Sequence, residues 1–461
     1  MDVRGKKVLV LGLGDTGLSM TRWLARRGAI VAAADTRAEP PHAGLLRREL
    51  PAVTLECGAF RAASLRAADL LAISPGIDRR TPAIAAAIAH GVPVAGDVEL
   101  FAQALAQAAP RRPKIIAITG TNGKSTVTRM AGDICAAAGY DTLVAGNIGT
   151  PVLDALSEIE GGRRVPDAFV LELSSFQLET TASLAADAAT VLNVSEDHLD
   201  RYAGIADYTA AKARVFQGGG AQIINREDER SGAMAQPGRA VWSFGTDAPG
   251  TERAWGLAGS ANSPALARGS EALMAVAELP VAGLHNAANA LAAGALCHAI
   301  GIADAPIIAA LRAYKGLPHR VEAIAVIDGV TYYDDSKGTN VGSTAAALNG
   351  FTPPVVLIAG GDGKGQDFRP LREPVRRHAR AVVLIGRDRE QIARAIDGTG
   401  VAIERAASME EAVQLARAAS RPGDVVLLSP ACASYDMFKN YGQRGDVFAA
   451  AVRQEAARGT R

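Results

Sequence analysis

Short runs rich in Val, Ile and Leu alternate along this chain with longer Ala-rich stretches of helical period, from one end to the other. Strands covered on both faces read as continuous apolar runs, so the pattern predicts an α/β protein built on parallel, helix-covered sheets. Strands are predicted at 7–11, 29–34, 114–119, 168–171, 189–194 and 425–428, with another entering a glycine loop over 355–365. Helices are predicted from the turn at 12–17 through Gly28 and over 205–216. A hairpin is predicted over 321–333, where Asp328-Gly329 supplies a two-residue turn. The polar, Gly-rich stretch 225–269 follows neither period and is expected to form irregular structure or small antiparallel strands.

The clearest breaks are Ala109-Pro110-Arg111-Arg112-Pro113 and Lys315-Gly316-Leu317-Pro318, giving blocks at 1–110, 111–317 and 318–461. A length of 461 residues suits about three domains. With 49 basic against 48 acidic side chains, no charge excess points to nucleic acid or anionic lipid, so any anion must be held locally. Cys57, Cys135, Cys297 and Cys432 form no CxxC pair, which suggests reduced thiols rather than disulfides or zinc. The first apolar run is interrupted by Gly12 and Asp15 too early for a signal peptide or membrane span, so a cytoplasmic protein with no membrane attachment is expected.

In the first block, Gly12-Leu13-Gly14-Asp15-Thr16-Gly17 follows a strand and opens a helix, and Asp35 ends the next strand, where a ribose-binding acid belongs. Taken alone this predicts NAD. Glycines at a helix N-terminus admit any nucleotide diphosphate, UDP included, and a plain strand-to-helix turn uses the same residues. Ser74-Pro75-Gly76 ends a later strand and would border the same crevice.

In the second block, Gly120-Thr121-Asn122-Gly123-Lys124-Ser125-Thr126 joins a strand to a helix. Such a loop aims backbone N–H groups at phosphate, adds the Lys124 charge and offers Ser125 or Thr126 to magnesium. Its spacing is a variant, because Ile118 stands where the usual first glycine falls. ATP binding is expected, and this second phosphate loop disfavours simple hydride transfer. Glu172, leading into Ser174-Ser175-Phe176-Gln177, and the run Ser195-Glu196-Asp197-His198-Leu199-Asp200 follow two further strands beside that loop. Acids and an imidazole there suit magnesium. Lys212 reads, on composition alone, as a surface lysine, as does Arg320 as a surface arginine. In the third block Gly360-Gly361-Asp362-Gly363-Lys364-Gly365 is either turn chemistry or a substrate loop.

Together with Leu284-His285-Asn286-Ala287-Ala288-Asn289, these motifs resemble the Mur ligase family, ATP-dependent amide-forming enzymes of peptidoglycan synthesis, across all three blocks. The resemblance implies a Rossmann-like N-terminal domain, a central P-loop ATPase-like parallel-sheet domain and a Rossmann-like C-terminal domain. It implies ATP and magnesium, with Ser125, Thr126, Glu172, His198 and a carbamylated Lys212 at the metal. Arg320 would contact the transferred phosphate, Asp335 the ATP ribose, and Asn286 and Asn289 would lie near adenine. Lys124, Glu172, His198, Lys212 and Arg320 form the catalytic set.

The stretch Tyr441-Gly442-Gln443-Arg444-Gly445 and the Ser-Ser-Phe-Gln motif are most similar to the D-glutamate-adding member, although Tyr441 stands where that member commonly has Phe. This implies UDP-N-acetylmuramoyl-L-alanine and D-glutamate as substrates of a monomeric enzyme. UDP would lie on Gly14, Asp15, Thr16, Asp35, Thr36, Arg37, Ser74 and Gly76. Lys364, Thr339, Ser434 and Tyr441 would surround the glutamate, with Asn147, His198, Lys337 and Tyr435 completing the substrate contacts. Another family member, such as the alanine-adding ligase or a folylpolyglutamate synthase, is the alternative within the class. An NAD-dependent oxidoreductase and a nucleotide-driven switch are the alternatives outside it.

Overall fold

Three twisted sheets follow one another along the chain, and each ends its strands on a loop that carries polar or glycine residues. The computed structural model describes residues 2–108, 112–198, 201–260 and 262–459. The first break, around residue 110, and Leu199-Asp200 therefore lie outside the described residues. Among those described, no helix is long and apolar enough to cross a membrane.

The first sheet is wholly parallel, in the order Thr54–Cys57, Ile30–Asp35, Lys7–Leu11, Leu70–Ile73, Val94–Ala95. Chain direction across the sheet reverses between Lys7–Leu11 and Leu70–Ile73, and open α/β sheets bind ligands at the carboxyl side of such a point. Gly17 is required there: a Cβ at this position would stand 1.8 Å from the Gly12 carbonyl oxygen.

The central sheet has nine strands, with Lys114–Thr119 between Ala188–Val191 and Ala168–Glu172. The phosphate loop thus emerges between the loops that carry Glu172 and Asn193. In the 225–269 stretch, Val241–Phe244 joins in parallel, whereas Ala254–Ser260 and Ser263–Arg268 pair antiparallel, with Glu271–Ala275 beyond them. The third sheet runs Glu322–Ile327, Val330–Asp334, Val425–Leu428, Val355–Gly360, Ala379–Ile385, Ala402–Arg405. Its first pair is the hairpin, turned by Asp328 and Gly329 at φ +50° and +76°.

The helices Asp97–Ala108 and Val152–Glu160 fill one core shared by the first and central sheets, with Trp23, Phe101 and Phe169 buried in it. The other face of the central sheet is covered by Lys124–Ala137 and Leu284–Ala299. Burying each large apolar side chain stabilises by about 1.5–3 kcal/mol, so the first two domains are joined by a substantial apolar contact. The third sheet keeps cores of its own, made almost wholly of residues beyond 318. Hydrogen bonds help hold it against the phosphate loop.

Candidate functional site

The carboxyl ends of the first sheet open onto a cleft of 530 Å³ lined by Gly14, Asp15, Thr16, Asp35, Arg37 and Ser74. Gly146, Asn147 and Gln177 from the central domain close its far side. Asp35 is buried and already engaged: one oxygen accepts from Leu13 N at 2.7 Å, and both accept from the Arg37 guanidinium. The Arg37 contact holds its carboxyl down at about 2. Asp35 therefore braces the glycine turn and presents Arg37, instead of offering a bare carboxylate. Ser74 Oγ donates to Gly12 O at 2.8 Å, tying the two turns together.

Asn147 links this cleft to the phosphate loop. Its Nδ2 donates to Glu172 Oε1 at 2.9 Å, while Glu172 Oε2, also buried, has no hydrogen-bond partner. An orphaned carboxylate oxygen beside a phosphate loop fits a hard cation. Gly123 enters the helix at φ +83°, a conformation suited to glycine. Lys124 Nζ folds back on the loop, donating to Gly120 O at 3.0 Å and Thr121 O at 2.8 Å. Burial pushes Lys124 below its ordinary range.

Lys212 is only 1% exposed, against the surface position that composition suggests. The predicted 205–216 helix ends its α-helical turns at Ala213 and finishes as a 3₁₀ turn, with Tyr208, Ala211 and Lys212 on the buried face. Lys212 Nζ donates to the same Gly120 carbonyl at 2.8 Å and lies 4.3 Å from the Tyr208 ring centre. Burial, reinforced by the Lys124 charge, pushes this amine well below the usual lysine range. Two buried amines converging on one carbonyl oxygen form a site that favours an anion or a neutral lysine. His198, at φ +54°, packs edge-on to Phe176 at 4.7 Å, and burial lowers its pKa.

The third sheet delivers its loops onto this assembly. Arg320 Nη2 donates to Ser125 Oγ at 2.6 Å, and Asn122 and Asn340 exchange hydrogen bonds at 3.3 and 3.0 Å. A cleft between the two domains is lined by Asn122, Thr126, Asn286, Asn289, Arg320, Asp335 and Lys337. Asp335 Oδ2 accepts from Ser429 Oγ at 2.7 Å, and burial raises its carboxyl to about 7. Burial, with Arg320 nearby, lowers Lys337 to about 8; its ammonium lies 3.8 Å from the Tyr441 ring centre.

His198 and Lys364 line a separate cavity of 180 Å³ with Asp197, Gly342 and Gln366. Thr339, Ser434, Tyr435 and Tyr441 are not part of its lining. Ser434 is buried nearby in the fold and Tyr435 is 72% exposed. Lys337 stands in the interdomain cleft with Arg320 and Asp335 rather than with Lys364.

Several working residues carried no assignment from sequence. Ser174 and Gln177 form a capping box, and Gln177 Nε2 reaches Asp97 of the first domain at 2.9 Å. The S-x-x-Q spacing carries that signal. Arg444 is buried and donates to Ser336 Oγ, Ser336 O and Cys432 O, lacing together two loops of the third sheet. No local pattern marks it.

Comparison with known proteins bears on the whole assembly. Residues 6–96 match the family description "Mur ligase MurD-like, N-terminal domain", 118–297 "Mur ligase middle domain", and 319–432 "Mur ligase, glutamate ligase domain". The chain is 56% identical over 452 residues to the UDP-N-acetylmuramoylalanine–D-glutamate ligase of Methylobacillus flagellatus, covering 98% of each chain. It is 54% identical over 457 residues to the protein of the same name from Nitrosomonas europaea, covering 98% of this chain and 97% of the other. The pseudomurein peptide ligase type C of Methanothermus fervidus shares the fold, with a TM-score of 0.60 at 18% identity, over 98% of this chain and all of that one.

Proposed function

The chain belongs to the Mur ligase family, and we propose that it joins D-glutamate to UDP-N-acetylmuramoyl-L-alanine in an ATP-driven reaction of peptidoglycan precursor synthesis. A carboxylate lacks a leaving group, because an amine would have to expel oxide. An oxygen of the alanyl carboxylate attacks the γ-phosphorus of ATP, ADP departs, and an acyl phosphate results. The amine of D-glutamate then adds to the acyl carbon and gives up a proton, and the tetrahedral intermediate expels inorganic phosphate. In such transfers the protein chiefly positions groups and offsets charge.

The observation that carries this reading is the bond from Asn147 to Glu172, because it joins the first-domain cleft to the carboxylate that ends the strand beside the phosphate loop. The UDP moiety fits the cleft at Gly14, Asp15, Thr16, Thr36, Arg37, Ser74 and Gly76, with the alanyl carboxylate directed past Asn147. The triphosphate fits the loop Gly120–Thr126, adenine the neighbourhood of Asn286 and Asn289, and ribose Asp335. Lys124 and Arg320 neutralise the phosphate being transferred. Ser125, Thr126, Glu172, His198 and a carbamylated Lys212 would hold magnesium, which when bound offsets phosphate charge. Lys364 takes the side-chain carboxylate of D-glutamate, with Thr339, Ser434 and Tyr441 completing the pocket once the domains close further.

We also propose domain divisions near residues 110 and 317, a cytoplasmic location and a monomer. The test is amide formation from UDP-N-acetylmuramoyl-L-alanine, ATP and single amino acids. D-Glutamate should be used in strong preference, and turnover with L-alanine in its place would overturn the assignment.

A further inference from the structure

One arginine spans the two ends of the proposed substrate path. Arg201 follows the His198 loop, and its backbone N donates to His198 O at 3.0 Å. Its side chain, only 9% exposed, crosses to the first domain, where Nη1 donates to Pro75 O at 2.8 Å and Nη2 to Ile77 O at 3.2 Å. Those carbonyls belong to the turn whose Ser74 is tied to Gly12 in the nucleotide cleft. Nη2 also pairs with Glu179 at 2.9 Å, and the guanidinium lies 4.1 Å from the centre of the Phe176 ring. Phe176 in turn supports the His198 ring. Glu179 is itself anchored, since its carbonyl accepts from Arg79 Nη1 at 3.0 Å.

A planar fork that meets two carbonyls and a carboxylate while stacking on an aromatic ring is work only arginine does. A lysine ammonium at that place would keep the charge and lose the geometry. Desolvating such a group is costly unless every contact persists, so displacement of the Pro75–Ile77 turn must be felt at Phe176 and His198. We infer that Arg201 is a positioning residue through which binding of the nucleotide sugar and assembly of the Glu172–His198 metal site strengthen each other. This rests on the function proposed above, and by linkage the effect is reciprocal.

The experiment is calorimetric titration with UDP-N-acetylmuramoyl-L-alanine, without ATP so that no turnover occurs, in the presence and absence of magnesium. Wild-type protein should bind more tightly with magnesium. Arg201→Met should weaken substrate binding about tenfold, equivalent to about 1.4 kcal/mol, and remove its response to magnesium. Arg201→Lys should recover only part of the affinity. Should Arg201→Met fail to fold, Glu179→Gln provides the same reading: a reduced magnesium response at an unaltered melting temperature. Wild-type protein that does not bind the substrate would overturn the proposed function itself. Wild-type binding indifferent to magnesium, or variants that keep the full magnesium response, would overturn this inference and leave the function standing.

Discussion

Arg320, carried by the C-terminal domain, donates to Ser125 in the phosphate loop of the central domain at 2.6 Å. A guanidinium hydrogen-bonded to a neutral hydroxyl retains its full charge for an anion, so a phosphate in the loop would meet cations from both domains, Lys124 and Arg320. Asn122 and Asn340 are also paired across the gap. Polar contacts of this kind are easily exchanged for contacts to ligand, and the connecting stretch 313–318 follows the end of helix Asp304–Ala313. Small-angle scattering should therefore show compaction when an ATP analogue and the UDP substrate are added together, reduced in Arg320→Ala. Lys124→Ala should abolish ligation and leave UDP-substrate affinity within about twofold. Scattering curves that do not change with ligand would refute the closure.

In the proposed arrangement Asp35 and Arg37 meet the nucleotide end of the substrate, remote from the reacting carboxylate. Interactions equal in ground and transition states change KM and not kcat. Because Asp35 orients both Leu13 N and Arg37, Asp35→Asn should raise the UDP-substrate KM at least as much as Arg37→Met, with kcat at saturation little altered. Saturable NAD binding that UDP does not displace would contradict this use of the cleft.

The phosphate loop, the hairpin and the acids after parallel strands were legible because each is a local pattern with one physical cause. Lys212 was not, because its burial depends on an acceptor 92 residues away, the Gly120 carbonyl. A lysine beside alanines on a short helix carries no trace of that partner. Arg201 and Arg444 escaped for the same reason: their acceptors lie far off along the chain, and most are backbone carbonyls, which any sequence supplies. The 225–269 stretch has no clear period because much of it forms short strands with partly exposed faces, where burial imposes little alternation. The first-domain fingerprint suggested NAD because glycines report only that a diphosphate can approach.

Asp335 gives the protein a pH signature. Burial raises its carboxyl from 3.8 to about 7, so the folded protein retains a proton that the unfolded chain releases. This group favours the folded state most below about pH 4, and that contribution is lost as pH rises toward 7. Asp335→Asn keeps the bond to Ser429 and cannot ionise. Its C-terminal domain should therefore gain stability relative to wild type between pH 4 and 7, reaching about 4 kcal/mol above that range. Thermal melting at several pH values checks this; a difference that does not vary with pH would count against it.

Lys364 shares its cavity with His198 and Asp197 at the edge of the C-terminal domain. A side-chain carboxylate entering that space needs a cationic partner to offset its desolvation. Lys364→Ala should raise the D-glutamate KM at least about tenfold, with the UDP-substrate KM unchanged. Steady-state kinetics with each substrate varied in turn separates the two, and equal turnover with D-alanine in the wild type would remove the case for this pocket.

Lys212 yields the sharpest prediction. Its amine and that of Lys124 share the Gly120 carbonyl, and Glu172 nearby keeps an unpartnered oxygen. A protonated Lys212 would repel any cation placed between them. Burial and the Lys124 charge instead favour the neutral amine, which is the form that attacks carbon dioxide. In the proposed carbamylation, nitrogen would form a bond to carbon as one carbon–oxygen π bond opens, the neutral amine would release one proton, and the resulting carbamate anion would be able to sit beside magnesium with Glu172 and His198. Lys212→Ala should then be nearly inactive, down about a hundredfold or more if the metal is misplaced, and acetate or another short carboxylate should restore part of the turnover by occupying the vacated space. Depleting bicarbonate should slow the wild type and leave Lys212→Ala with acetate unaffected. Full activity of Lys212→Ala, or a wild-type rate indifferent to bicarbonate, would rule the carbamate out.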